Sequence, residues 1–171
     1  DRLEETANQI TAADGISIVV PGDLSKKSDA EAIVDQVINK YGRIDIVYSA
    51  AGGNFDPTRK LNDVDEDFFN STLNNTVNSL YNLAQLVRPI MRDQGGGSIV
   101  SVAASFSVRQ EGNSAYSAAK SGTIGLSQNL AREFHADNIR VNSIEAGLFR
   151  GSLQEGAIAP ADTTLLRVGY P

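Results

Sequence analysis

Apolar positions along the chain follow two periodicities in alternation. Leu3, Ala7 and Ile10 recur at spacings of four and three among polar neighbours, which predicts one face of an amphipathic helix over residues 1–13. Asp14-Gly15 breaks that pattern. Residues 16–20 then form a short run dominated by Ile and Val, the signature of a buried strand, ending at Pro21-Gly22. Ser28 followed by Glu31 reads as a capping box, and Ile33, Val34, Val37 and Ile38 give the apolar stripe of a second helix that stops at Gly42. A second strand is predicted over 44–50, closing in the small-residue turn Ala51-Gly52-Gly53, with a polar loop around Pro57 after it. Helical periodicity next runs from about 65 to 92 through Phe69, Leu73, Val77, Leu80, Leu83, Ala84 and Val87. Pro89 is expected to bend that helix or end its regular part. Gly95-Gly96-Gly97 separates it from a strand over 98–102. A helix over 115–134 and a fourth strand over 140–144 lead into Ala146-Gly147, and beyond Gly151 the pattern weakens. Strands alternating with full-length helices imply right-handed crossovers, and so an α/β fold with a doubly wound parallel sheet.

Composition narrows the chemistry. The 171 residues carry 15 Lys+Arg against 21 Asp+Glu, a formal net charge of −6. Polyanions such as nucleic acid or an anionic membrane surface attract basic proteins, so neither is expected as a main partner. With no Cys and one His (His135), there is no thiolate nucleophile, no Cys-ligated zinc site and no Ser-His pairing in the usual sense. No metal site is expected. The first thirty residues lack a signal-peptide pattern and no apolar run approaches the roughly 18 residues of a membrane span, which makes a cytoplasmic location the default.

In a doubly wound sheet, ligands bind at the carboxyl ends of the strands. Four places qualify: Asp23-Leu24, residues 49–53, residues 103–107 and residues 146–151. Gly and Ala there either admit a ligand close to the backbone or are ordinary turn residues. Tyr116 and Lys120, four apart on a helix, project from one face about a turn apart. A phenol titrates near pH 10, and an adjacent ammonium favours its ionised form, so the pair is a candidate proton donor and acceptor. The bland alternative is a surface Tyr beside a surface Lys.

Several segments together resemble the short-chain dehydrogenase/reductase family: Tyr116-Ser117-Ala118-Ala119-Lys120-Ser121-Gly122, Ile46-Val47-Tyr48-Ser49-Ala50-Ala51-Gly52, Gly97-Ser98-Ile99-Val100, Ile139-Arg140-Val141-Asn142-Ser143-Ile144 and Gly22-Asp23-Leu24. The resemblance spans about residues 3–147. It implies a Rossmann-type fold, NAD or NADP as cofactor, and hydride transfer between that cofactor and a small-molecule carbonyl or secondary alcohol. It also implies that Tyr116 delivers the proton, while Lys120 binds the nicotinamide ribose and lowers the Tyr116 pKa. Asp23 and Leu24 would meet the adenine. Ser49, Ala51 and Gly52 would line the adenosine side, and Ala146, Gly147 and Leu148 would pass the nicotinamide. A homo-oligomer through the helices at 65–92 and 115–134 is implied as well, and a 3-oxoacyl thioester is the leading substrate expectation.

The departures from that family bear on activity. Its Asn-Asn-Ala-Gly strand end reads Ser49-Ala50-Ala51-Gly52, its active-site Ser aligns with Ala104, and its water-positioning helix Asn aligns with Thr76. The family's Pro-Gly turn reads Ala146-Gly147, and the Thr four residues after that Gly is Gly151. Ser105 and Asn75 lie one residue from the two lost polar positions, and Ser105 is kept as the candidate third catalytic residue. A one-residue slip, however, also turns a side chain to another face. No G-x-x-x-G-x-G sequence occurs, so the chain reads as a single partial NAD(P)-binding domain over 1–171, an internal fragment of a longer reductase. Two other readings stay open: a non-catalytic family member and an inactive truncated product.

Overall fold

The computed structural model describes residues 2–149 and 168–169, with Leu148, Phe149 and the last two residues known by backbone alone. Helix α1 (Arg2–Ala12) closes where the Gly15 N–H donates to the Ile10 carbonyl at 2.9 Å, and it buries none of its side chains. Helix α2 (Lys27–Tyr41) ends as expected at Gly42, whose φ of 75° lets its N–H reach the Ile38 carbonyl at 2.8 Å. Its start differs from the expected capping box. Ser28 lies in the first turn, Lys26 is the N-cap, and Asp29 receives the Asp23 N–H at 3.0 Å.

Three parallel strands form the main sheet in the order β1-β2-β3: β1 (Ile46–Ser49), β2 (Gly97–Ala104) and β3 (Ile139–Ala146). Ala104 is level with Ala146, so β2 and β3 finish together, while β1 ends at Ser49, level with Ser101. Between β1 and β2 run α3 (Glu66–Leu73), a π-helical turn (Asn74–Asn78) and α4 (Ser79–Asp93). Pro89 does not end α4. Val87 and Met91, buried to either side of it, hold the last turn in the core although one N–H is missing. Between β2 and β3 run α5 (Phe106–Glu111) and α6 (Ser114–Phe134). A separate parallel pair joins β4 (Leu148–Phe149) to β5 (Val168–Gly169).

Residues 16–20, expected as a strand, are not one. Their Ile and Val content suits a strand, but a strand also needs a neighbouring backbone to bond, and β1 pairs only with β2 among the described residues. The core lies on one face of the sheet. There Ile99, Ile139 and Val141 pack against Val34 of α2, Leu80, Ala84, Val87 and Met91 of α4, and Leu130 and Phe134 of α6. Each large side chain buried this way contributes about 1.5–3 kcal/mol. The opposite face leaves Ile46 and Tyr48 open, at 70% and 63% exposure, so the helices α2, α4 and α6 alone do not complete a doubly wound layer. A buried hydroxyl pair, Ser101 with Ser127 at 2.8 Å, pins β2 to α6. No helix among the described residues is long and apolar enough to cross a membrane.

Candidate active site

The site is assembled where β2 ends and α6 begins. Ser105 turns the chain out of β2: its N–H donates to the Ala146 carbonyl at 2.8 Å, and it stands as N-cap of α5. The sequence pattern predicts no helix over 106–111, because six residues are too few for a helical period to show. Gly112 closes α5, and the buried Asn113 then caps α6. The Asn113 Oδ1 accepts the Tyr116 N–H at 2.9 Å, and its Nδ2 donates to the Asn54 carbonyl at 2.7 Å. One side chain thus fixes both the first turn of α6 and the loop that follows β1.

That cap aims Tyr116 inward. Its side chain, 8% exposed, packs with Ala104 and Val108, and the Phe55 ring meets it edge-on at 5.3 Å between centroids and 75° between planes. Lys120 follows one turn later, 5% exposed, with Nζ donating to the Val102 carbonyl at 2.8 Å. Nζ stands 5.9 Å from the Tyr116 ring centroid. Burial pushes the Lys120 ammonium below its ordinary pKa.

The Tyr116 phenol is shifted upward, because burial disfavours its charged form, and the Arg109 guanidinium works against that shift. Arg109 lies on α5, with Nη1 donating to Glu145 Oε2 at 2.9 Å and to the Ala104 carbonyl. Phe55, Arg109 and Asn113 were not picked out from sequence. Only Asn113, a cap-type residue three positions before Tyr116, carried a readable signal.

The polar positions expected from the motif register fall as follows. Ala104 faces Tyr116, while the Ser105 hydroxyl lies 3.3 Å from that of Ser107. Thr76, 3% exposed, sits in the π-helical turn, and its hydroxyl has no hydrogen-bond partner among the described residues; Asn75 beside it is exposed. Single π turns inside α-helices are frequent at functional sites. Thr76 presses on Gly52, whose φ is 113°: a Cβ there would stand 2.5 Å from Thr76 Oγ1. Ser49 is buried at the end of β1, with Ala51 half-buried after it.

Asp23 and Leu24 form a separate stretch. Two hydrogen bonds from Ser25, at 2.6 and 3.0 Å, hold the Asp23 carboxyl below the usual carboxylate range. The Leu24 carbonyl accepts from Asn82 of α4 at 2.9 Å. Gly147 is half-buried past the end of β3, and the side chain of Leu148 lies outside the described residues.

The family model described as short chain dehydrogenase matches residues 1–160. The chain is 30% identical over 145 residues to a 3-oxoacyl-acyl-carrier-protein reductase of Thermotoga maritima, covering 84% of this chain and 58% of that protein. It is 35% identical over 146 residues to dehydrogenase/reductase SDR family member 4 of Oryctolagus cuniculus, covering 84% and 55%. The chain therefore spans little more than half the length of these relatives. Among solved structures, a 7α-hydroxysteroid dehydrogenase complexed with NADH superposes with a TM-score of 0.78 at 26% identity, over 90% of this chain and 61% of that one. An NAD+-bound xylitol dehydrogenase superposes with a TM-score of 0.80 at 25% identity, over 87% and 58%. With a family match over nearly its whole length and this three-dimensional agreement, the chain belongs to the short-chain dehydrogenase family and has its Rossmann-type α/β fold.

Proposed function

We propose that the chain is the catalytic-side portion of an NAD- or NADP-dependent oxidoreductase acting on a small-molecule carbonyl or secondary alcohol. The supporting observation is the pairing of a buried Tyr116 with a buried Lys120 at the carboxyl ends of the parallel strands. Burying an ammonium beside a phenol is costly for a fold, and pairs of this kind cluster at functional sites. In the reductive direction the carbonyl carbon gains a hydride, and its oxygen takes the Tyr116 phenol proton. The alcohol leaves, and the phenolate recovers a proton from solvent. Lys120 holds one backbone carbonyl and keeps two further N–H donors.

The residues present fit a dinucleotide on two counts. The Thr76 hydroxyl is buried without a hydrogen-bond partner among the described residues, and two bonds from Ser25 keep Asp23 an ionised acceptor. Asp23 and Leu24 would hold the adenine side, Ser49, Ala51 and Gly52 the adenosine, and Lys120 with Gly147 and Leu148 the nicotinamide end. The group itself supplies the hydride. The names of relatives, which include 3-oxoacyl-acyl-carrier-protein reductases and a 3α-hydroxysteroid dehydrogenase, favour an oxoacyl thioester or a hydrophobic ketone as substrate. A homo-oligomer built on the helices at 65–92 and 115–134, and a cytoplasmic location, belong to the same reading.

One observation favours a second reading. Ala104 presents a methyl group to Tyr116 where the family has a hydroxyl, and loss of one oxyanion donor in a comparable site costs about 10²- to 10³-fold in rate. A non-catalytic binding role follows if that loss is not made good. Hydride transfer by the full-length protein, monitored through nicotinamide absorbance, decides between them. Activity abolished by Tyr116→Phe supports the enzyme reading, and undiminished activity in that variant removes Tyr116 from the chemistry. Cofactor binding with no turnover across a panel of carbonyl substrates supports the binding role.

A further inference from the structure

Two aromatic rings meet where the loop after β1 crosses the start of α6, and a chain of side-chain bonds fixes the meeting point. Thr72 of α3 is buried; its Oγ1 donates to the Phe68 carbonyl at 2.7 Å and accepts from Asn54 Nδ2 at 2.9 Å. Asn54 holds a φ of 66°, a left-handed turn that Asn tolerates better than most side chains, and its carbonyl accepts from Asn113 Nδ2 at 2.7 Å. Asn113, 2% exposed, turns its other polar atom, Oδ1, to the Tyr116 N–H at 2.9 Å, so both ends of the amide are engaged. The residue that follows Asn54 is Phe55, whose ring stands edge-on to Tyr116 with centroids 5.3 Å apart. Gly112 borders both rings: a Cβ there would come within 2.7 Å of Tyr116 Cδ1 and 3.4 Å of Phe55 Cδ2. Its φ of −73° is open to any residue, so the close approach of the rings, rather than the backbone turn, is what requires glycine.

We propose that Asn113 is a positioning residue for the reaction: by bonding the Tyr116 N–H and the Asn54 carbonyl at once, it holds the Phe55 ring as a cover on Tyr116. A helix cap alone needs only the Oδ1 acceptor, which Ser or Asp would supply as well. What Asn adds is the Nδ2 donor, and that donor reaches 59 positions back along the chain to the loop that carries the cover. A tether one residue before Phe55 limits how far the ring can swing, and edge-on packing adds attraction beyond the burial of apolar area. Ala104 and Val108 pack with the Tyr116 ring as well, so Phe55 is the part of its surroundings carried by the loop after β1. Without the tether the Asn54 carbonyl can bond to water, since Asn54 is exposed, and the loop can lift without leaving that carbonyl unpaired. The cover stands on these contacts alone; its value for turnover rests on the proposed role of Tyr116.

The test is O-acetylation of tyrosines in the full chain by N-acetylimidazole, with the Tyr116 peptide quantified by mass spectrometry and the exposed Tyr48 as internal reference. Asn113→Ser keeps a cap-type acceptor and removes the donor to Asn54. It should speed acetylation of Tyr116 relative to Tyr48 about fivefold, the factor that one lost hydrogen bond puts on an opening equilibrium, while unfolding at a higher midpoint than Asn113→Ala. Phe55→Ala should speed it at least as much, and the two changes together should add little to Phe55→Ala alone, because an absent ring has no tether to lose. Should Asn113→Ser not fold, Asn113→Asp, which also keeps the acceptor and lacks the donor, carries the same comparison. Acetylation of Tyr116 unchanged in Phe55→Ala or in the Asn113 variant, or raised by the two independently and additively, overturns the proposal. In the full-length enzyme Asn113→Ser should lower kcat by up to about 10²-fold, the cost of a misplacement near 1 Å, with the cofactor KM little changed. If acetylation behaves as stated while Tyr116→Phe keeps full turnover, the cover stands and the catalytic role of Tyr116 falls.

Discussion

Replacing Gly52 by Ala tests whether the turn after β1 and the π-helical turn are one mechanical unit. Two independent penalties apply. A φ of 113° is a conformation L residues rarely hold, and such strain costs about 1–3 kcal/mol. The new Cβ would also stand 2.5 Å from Thr76 Oγ1, 2.9 Å from its Cγ2 and 3.0 Å from its Cβ, an overpacking worth about 1–3 kcal/mol. Gly52→Ala should therefore lose about 2–6 kcal/mol in urea unfolding, a large share of the roughly 5–15 kcal/mol that holds a domain together. Thr76→Ala removes two of the three clashing atoms. Alone it should be close to neutral: it deletes a buried hydroxyl with no partner, relieving a desolvation cost of about 1–3 kcal/mol, while losing a methyl group's packing. The double variant should then lose only the φ strain, giving a coupling energy of about 1–3 kcal/mol. Additivity within about 0.5 kcal/mol would refute the contact, because independent sites add to that accuracy.

Three further outcomes follow from the same geometry. Ala104→Ser, which restores a hydroxyl opposite Tyr116, should raise kcat of the full-length enzyme by about 10²-fold with little change in unfolding midpoint; unchanged kcat would mean the hydroxyl's work is done elsewhere. Asn113→Ala removes the α6 cap and the bond to the Asn54 carbonyl, and should cost about 1–2 kcal/mol with faster amide exchange at Tyr116. The buried pair should also give stability a pH signature with two opposite slopes. Lys120 is depressed below 10.5, so its contribution rises with pH from its folded pKa up to that value and is lost as pH falls; Lys120→Met should flatten the rise. Tyr116 is raised above 10.0, so its contribution is complete below that value and lost as pH climbs through the folded pKa; Tyr116→Phe should flatten the fall.

The elements with strong periodicity were legible in the sequence. Helix α6 runs over Ser114–Phe134 against an expected 115–134, and β3 over Ile139–Ala146 against 140–144, because an apolar stripe or a β-branched run reports burial directly. Residues 16–20 carried the same kind of signal and did not form a strand, since ladder bonding depends on a neighbour that the local sequence does not specify. The Tyr116 and Lys120 positions were readable from their spacing, as was Thr76 from its register. The long-range contacts were not. Arg109 meets Glu145 across 36 positions, and Asn113 meets Asn54 across 59, distances at which no local pattern carries information.

Those long-range contacts decide how the site behaves as a unit. The loop after β1 is held at Asn54 by Asn113 and by a bond from the Asn54 side chain to Thr72, and it lays Phe55 on Tyr116. The loop at Asn54 and the first turn of α6 are therefore joined by hydrogen bonds and ring contact, and Gly52, two residues earlier, packs on Thr76. Because burial is what raises the Tyr116 pKa, any movement of the loop that exposes the ring lowers it, and any movement that seals the ring raises it. Arg109, fixed to the strand ends instead of to this loop, supplies a charge whose position does not depend on that movement.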